Sequence, residues 1–298
     1  MFQDTPTMNT PEFIAYLKRK QFASTTLRTS ETVIALYFDW LAAENLEPEQ
    51  VSYQEILGFI KSHRRQASQR TLQHYLNVIR HYYDHLIEAK KIEYNPTKGV
   101  EIKGVRRKVL YHILEPQELH QLYNSYQDDT LAGRRNKVML GLLVYQGVKT
   151  EELRKLETSH VKLREGKIEI PGGRKSNHRI MNLESHQVMD VYDYVLQARP
   201  EILKESNQET DRLFVSLTGK ASTISNLTNS FLRPLKAEFK QLKNAKQIRA
   251  SVITKWLKNH NLREVQVLAG HKYVSTTEGY KMNDMEGLKE EINQYHPL

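Results

Sequence analysis

Between residues 9 and 89, apolar side chains recur at three- and four-residue intervals, and the pattern divides into four helices. Thr10 and Pro11 form an N-cap and first-turn pair ahead of Phe13, Ile14 and Leu17. A second helix runs from about Thr25 to Ala43, with Val33, Leu36, Tyr37 and Leu41 on one face. Ser52, with Glu55 three residues on, starts a third helix striped by Ile56, Leu57 and Ile60. A fourth spans about Ser68 to Ala89, with Leu72, Tyr75, Leu76, Ile79, Tyr82 and Leu86 facing inward. No alternating pattern interrupts them, so residues 1–104 read as a small all-helical domain.

Asn95-Pro96 stops the fourth helix. Lys98 to Tyr111 has two glycines, many bases and no helical stripe, and reads as an extended basic linker. The pattern then changes. Helices are expected near 116–127, 132–146 and 150–156, and β segments around Val161, at Lys167–Ile170 and at His178–Leu183. The Gly172-Gly173 pair marks a tight turn before the third strand. Helical periodicity returns at 184–198, 224–241, 247–259, 262–269 and 284–294, the last with Met285, Leu288 and Ile292 in register. Residues 105–298 therefore read as a second, mixed domain ending in a tail helix. The fold class is mainly α with a small antiparallel sheet.

Composition narrows the chemistry. Cysteine is absent, which excludes disulfide scaffolds, Cys-ligated zinc and Cys nucleophiles together. No run of about eighteen apolar residues offers a membrane span. The opening MFQDTPTMNT lacks a basic region followed by an apolar one and reads as a short polar tail of a cytoplasmic protein. Net charge is +9, which suits a polyanionic partner, nucleic acid before an acidic membrane. Residues 1–104 are nearly balanced, so the second part carries most of the positive field. Lys61, His63, Arg64, Arg65 and Arg70 form a basic run, followed by Gln69, Thr71, Gln73, His74, Asn77 and Arg80 on the outer face of the fourth helix. Such a face either is solvated or meets DNA, bases fixing phosphates and amides reaching base edges. Arg106, Arg107 and Lys108 in the linker are placed to follow a phosphate backbone.

The C-terminal stretch is the most specific. It reads Lys246-Gln247-Ile248-Arg249, then Ala269-Gly270-His271, then Tyr280 nine residues beyond that histidine. Upstream stand Gly147-Val148-Lys149-Thr150-Glu151-Glu152-Leu153 and Gly173-Arg174-Lys175 with Arg179-Ile180-Met181-Asn182-Leu183. In order and spacing these resemble the signature of the tyrosine recombinases, the phage integrase family, over nearly the whole chain. Ala269 stands for the family's Leu, Lys246 for its His or Lys, and Lys149 for an Arg.

The resemblance implies a core-binding domain and a catalytic domain closing as a clamp on duplex DNA, with no metal or cofactor. It implies that Tyr280 attacks phosphorus and holds the cut end as a 3′-phosphotyrosine. Arg249, Lys246, His271 and Lys149 would then stabilise charge on the phosphate oxygens, which dominates phosphoryl-transfer catalysis. Lys175 would protonate the departing 5′-hydroxyl, with Arg174 aligning about as well in that hairpin role. Glu152 is assigned to orienting a basic neighbour, because a carboxylate facing the phosphate would repel it. A homo-tetramer on two DNA sites, serving integration or excision of a mobile element, is expected. Lys149 keeps the charge of the family's Arg but loses its planar fork. A recombinase-like DNA-binding protein that no longer cuts, a topoisomerase-like enzyme and a helical transcription regulator therefore stay open.

Overall fold

The structure is a computed structural model that describes residues 10–104, 112–174, 176–207, 209–218 and 224–281, the side chains of 224 and 225 excepted. Lys175, Arg106, Arg107, Lys108 and the expected tail helix at 284–294 lie outside the described residues. The chain forms two compact units, Met1–Val109 and Leu110–Leu298.

The first unit is four helices: α1 (Thr10–Arg19), α2 (Ser24–Ala43), α3 (Tyr53–His63) and α4 (Gln69–Glu88). Ser52 caps α3 in a reciprocal box, its hydroxyl accepting from the Gln54 amide while its own amide donates to Glu55 at 2.8 Å. Ser68 caps α4 by accepting from the Thr71 amide. The four apolar stripes meet in one core in which Phe13, Leu17, Ile34, Tyr37, Leu41, Ile56, Phe59, Leu76, Ile79 and Tyr83 are fully buried. Two of these carry hydroxyls, and Tyr37 and Tyr83 satisfy each other at 2.7 Å.

One expectation is corrected here. The segment after α4 does not leave as a linker at Lys98. Val100 is buried in the helical core and Ile102 packs on it. Arg80 donates to the carbonyls of Thr97 at 3.4 Å and Val100 at 3.1 Å. The bases and glycines of that stretch hid an anchor made from one valine and the helix behind it.

The second unit is mainly helical with one antiparallel sheet in the order β1 (Val161–Lys162), β2 (Lys167–Ile170), β3 (Arg179–Asn182). Register places Ile168 opposite Met181 and Ile170 opposite Arg179. Helix α6 (Leu131–Val144) is the central element, buried along almost its whole length. Around it lie α5 (Pro116–Asn124), the short α7 (Thr150–Leu153), α8 (Ser185–Asp193), α9 (Arg199–Ser206), α10 (Ile224–Glu238) and α11 (Ala245–Asn259). α12 (Leu262–Leu268) follows α11, and residues 274–281 are helical again. Gly173, the second glycine of the expected turn, is bridged to Ser176. Among the described residues no helix is long and apolar enough to cross a membrane.

The helix expected to end at 198 runs on. Tyr194–Ala198 is a π turn, in which the Arg199 amide reaches back to the Tyr194 carbonyl, and it leads into α9 with Pro200 in its first turn. Pro200 has no N–H to give to the preceding turn and its ring crowds that carbonyl. Widening the helix by one residue at that point removes the conflict.

His85 sits in the first unit's core beside Phe13 and Tyr16, and among the described residues neither ring nitrogen has a hydrogen-bond partner. Burial holds its pKa below the usual histidine value. The unfolded chain therefore takes up a proton on this ring before the folded chain does. The stabilisation is present above the unfolded value of about 6.5 and falls as pH drops below it. Thermal unfolding followed between pH 8 and 5 should show a shallower acid loss in His85→Phe than in the parent.

Candidate active site

Three turns bring the site together. The first follows α6, where Gly147 takes φ +54° and Lys149 becomes the N-cap of α7. A side chain at position 147 would meet Val252 of α11 at 3.1 Å, so this turn lies directly against that helix. The second closes α12. Gly270 takes φ +64°, its amide donates to the Val267 carbonyl, and the His271 amide donates to Gln266. That is the Schellman pattern, which requires a residue able to adopt the left-handed conformation. A Cβ at 270 would lie 2.5 Å from an Arg179 Nη1 atom, so glycine is needed for space as well. The third is the hairpin before β3. The Asn177 amide donates to the Gly270 carbonyl at 3.0 Å and its side chain to the His271 carbonyl at 3.3 Å, tying the hairpin to the Gly-His turn.

Arg249, on α11, occupies the space between these turns and is only 4% exposed. One terminal nitrogen, Nη1, donates to the Gly147 carbonyl and lies 3.9 Å from Glu152. The other, Nη2, donates to the Ala269 carbonyl at 2.7 Å and approaches His271 Nε2 at 3.0 Å. The far side of the His271 ring, Nδ1, is 2.9 Å from the Thr277 hydroxyl. The Tyr280 ring stacks on His271 with centroids 5.6 Å apart and planes 13° from parallel, and the Tyr280 hydroxyl interacts with Arg249. Burial first, then the charges of Arg249, Lys149 and Arg179, push the His271 pKa down to about 3. The imidazole is therefore neutral at any ordinary working pH.

Below Arg249 lies a buried ion pair that sequence reasoning did not assign. Glu152 takes both terminal nitrogens of Arg179 at 3.0 and 2.9 Å and the Lys149 amide at 2.9 Å. Both side chains of the pair are almost fully covered. Burial alone would raise the Glu152 pKa, but the hydrogen bonds and charge of Arg179, with the Lys149 amide and Arg249, hold it below the usual carboxylate value. The expectation that Glu152 orients a basic neighbour agrees with this geometry, and the neighbour is Arg179. A sequence signal for Arg179 existed. It alternates with Met181 on the buried face of a four-residue strand, where a cation demands a partner.

Of the residues singled out from sequence, Arg249, His271 and Tyr280 meet in direct contact, and the charge of Lys149 acts on His271. Lys246 is exposed one turn before Arg249 on α11. Arg174 is exposed in the hairpin turn. In the first unit Arg64, Arg65 and Arg70 are exposed, while Thr71 closes the Ser68 cap, its hydroxyl 2.8 Å from that of Ser68. Arg80 is half-buried and engaged by Thr97 and Val100, so its donors are directed into its own unit rather than to the surface. Tyr273, the other tyrosine in the stretch, is 71% exposed and points away from any such cluster.

The phage integrase family model matches residues 112–286, more than half of the chain, and the model of the phage integrase N-terminal SAM-like domain matches residues 11–90. The chain belongs to the phage integrase family, the tyrosine recombinases. As a member it is an enzyme that breaks and rejoins DNA strands. The recombinase is 30% identical over 253 residues to the tyrosine recombinase XerD of Oceanobacillus iheyensis, covering 84% of each chain. It is 25% identical over 292 residues to XerC of Anoxybacillus flavithermus, covering 96% of each. Among solved structures, XerH recombinase bound to a difH substrate superposes with a TM-score of 0.71 at 15% identity, covering 92% of the recombinase and 82% of XerH. A lambda integrase dimer on a core site gives 0.68 at 13%, covering 91% and 75%. At those identities the likeness concerns the fold.

Removing one partner of a buried ion pair leaves the other charge uncompensated and costs about 3–5 kcal/mol. Arg179→Met should therefore lower the urea midpoint strongly. The double variant Arg179→Met, Glu152→Leu should recover most of the loss. Equal midpoints for single and double variants would remove the pair from the account.

Proposed function

We propose that the recombinase acts site-specifically on duplex DNA, with Tyr280 as its nucleophile and Arg249 as the principal phosphate-binding cation. The observation that carries this reading is the contact chain from Tyr280 to His271 to Arg249. It places a phenol and a buried guanidinium at one spot, where one phosphodiester can touch both. Arg249, Arg179 and Lys149 outnumber the single carboxylate of Glu152 in this cluster. Arg249 Nε is buried with no partner among the described residues. Excess buried positive charge is costly and is relieved by an anion.

The step runs as follows. The Tyr280 oxygen forms a bond to phosphorus as the bond from phosphorus to the 5′-oxygen breaks. The phenol gives its proton to solvent and the departing 5′-oxygen gains one from a protein acid. Lys175 is the acid assigned to that oxygen, because lysine gives up a proton far more readily than arginine. Arg174 beside it then supplies charge to the phosphate. The phosphotyrosine conserves the ester bond, so a second 5′-hydroxyl can reverse the step without ATP. Lys246, on the same helix as Arg249 and exposed, and Lys149 contribute further charge to the phosphate oxygens. His271 differs from its expected role as a donor, because its Nε2 is already occupied by Arg249.

Phosphate contacts outside the cleavage site fall to Arg64, Arg65 and Arg70 and to Arg106, Arg107 and Lys108. Each chain offers one Tyr280, and exchange between two duplexes cuts four strands, so four copies are required on a pair of sites. The biological setting proposed is integration or excision of a mobile element in the cytoplasm.

A duplex with a nick near the cleavage point traps the covalent intermediate, because the short cut fragment diffuses away. The parent should form a protein–DNA adduct that survives denaturing gels. Tyr280→Phe should form none while binding the same DNA with unchanged affinity. Lys149→Arg restores a planar fork at the first motif and should raise adduct yield. An adduct that persists in Tyr280→Phe would move the nucleophile elsewhere.

A further inference from the structure

Thr277 lies three residues before Tyr280 on the helical segment 274–281, and it is fully buried. That spacing puts its hydroxyl and the Tyr280 ring on one helix face. Both flank His271. Thr277 Oγ1 meets the edge of the imidazole at Nδ1, 2.9 Å away, and the Tyr280 ring covers its face. On the opposite edge, His271 Nε2 is 3.0 Å from Arg249 Nη2.

A guanidinium nitrogen can only donate. Nε2 must therefore be the accepting nitrogen of a neutral ring, and the single ring proton must sit on Nδ1. Nδ1–H then needs an acceptor in a buried place, and the Thr277 hydroxyl is the group within reach. A neutral imidazole in water favours the other tautomer, with its proton on Nε2. That form would aim N–H against N–H at Arg249 and leave Nδ1 facing the Thr277 hydroxyl as an acceptor. Arg249 rejects that form, and the Thr277 hydroxyl, which can accept as well as donate, supplies the acceptor without which the Nδ1 proton would be buried unpaired.

We propose that Thr277 is a positioning residue that holds His271 in the Nδ1-protonated form, so that Nε2 accepts from Arg249 and aligns the guanidinium beside Tyr280. This rests on the assignment of Arg249 and Tyr280 to cleavage and deepens it. The helical segment that carries the nucleophile thus supports the state of the histidine that Arg249 requires, and the histidine in turn orients the phosphate-binding arginine. One hydroxyl couples displacement of the Tyr280 helix to the alignment of Arg249. Asn177 holds the same Gly270–His271 turn from the hairpin side through two main-chain carbonyls, so the ring has no freedom to escape the constraint by shifting its backbone.

The test uses the full-length chain with ¹⁵N-labelled histidine. His271 is assigned among the 12 histidines by loss of its resonances in His271→Gln. In the parent, the ¹⁵N shifts at pH 7.5 should show the proton on Nδ1. Thr277→Val removes the hydroxyl at similar volume and should move the proton toward Nε2. Its adduct rate on the nicked duplex should fall about tenfold, the scale of one lost buried hydrogen bond, with DNA affinity unchanged. Thr277→Ser should restore both the tautomer and the rate. An Nε2-protonated His271 in the parent overturns the proposal without any variant, which also covers the case of a Thr277→Val chain that does not fold. An unchanged tautomer or an unchanged rate in a folded Thr277→Val overturns it equally. Failure of the parent to form any adduct would instead defeat the cleavage reading, and the histidine spectra would be unaffected by that outcome.

Discussion

The second unit is organised around the burial of one guanidinium. Arg249 is almost wholly out of water, and an unpaired cation there would cost several kcal/mol. The fold meets that cost with acceptors from separate parts of the chain: the Gly147 carbonyl after α6, the Ala269 carbonyl at the end of α12, and His271 Nε2. Each acceptor is available only because a glycine beside it takes a left-handed turn. The glycines are therefore geometric requirements of the arginine's hydrogen bonding.

The Glu152–Arg179 pair belongs to the same economy of charge. Glu152 is close enough to Arg249 to offset it and is held by two stronger partners, Arg179 and the Lys149 amide. Arg179, rather than Arg249, makes the close bidentate contact with the carboxylate, and Arg249 stays 3.9 Å from it. With Arg179 present, the carboxylate is engaged and Arg249 keeps a net positive field. A buried ion pair here contributes little to stability by itself and much to the selectivity of which cation stays available. It also bears on Lys149. The pair fixes the main chain of that residue through its amide, so the position of residue 149 survives the change from arginine to lysine even though the forked geometry does not.

Much of the architecture could be read from spacing. The four helices of the first unit follow their apolar stripes, and the Ser52 capping box was visible as a serine and a glutamate three apart. The Arg249, Gly270-His271 and Tyr280 positions were legible from their order and spacing, and the fold brings them into contact. What escaped depended on long-range partners. Arg179 reads as an ordinary strand cation until Glu152, 27 residues earlier, is placed against it. The anchor at Val100 was hidden by charged neighbours. The helix beyond 198 was hidden by Pro200, because a π turn accommodates the proline without a break and leaves no compositional mark. Thr277 looked like one of a Ser-Thr-Thr run, and only the direction of the His271 ring distinguishes it from Thr276.

The helix that bears Tyr280 is tied to the site through side chains. Its described residues 274–281 meet the rest of the site through Thr277 and Tyr280, both against the same imidazole. By contrast, the turn holding His271 is closed by two Schellman bonds and two bonds from Asn177. Motion of this helix would therefore pivot on His271 rather than carry it along. A shift large enough to withdraw the phenol would also separate the Thr277 hydroxyl from Nδ1 and leave that proton without its acceptor. On the proposed roles, one imidazole thus ties the alignment of Tyr280 to that of Arg249.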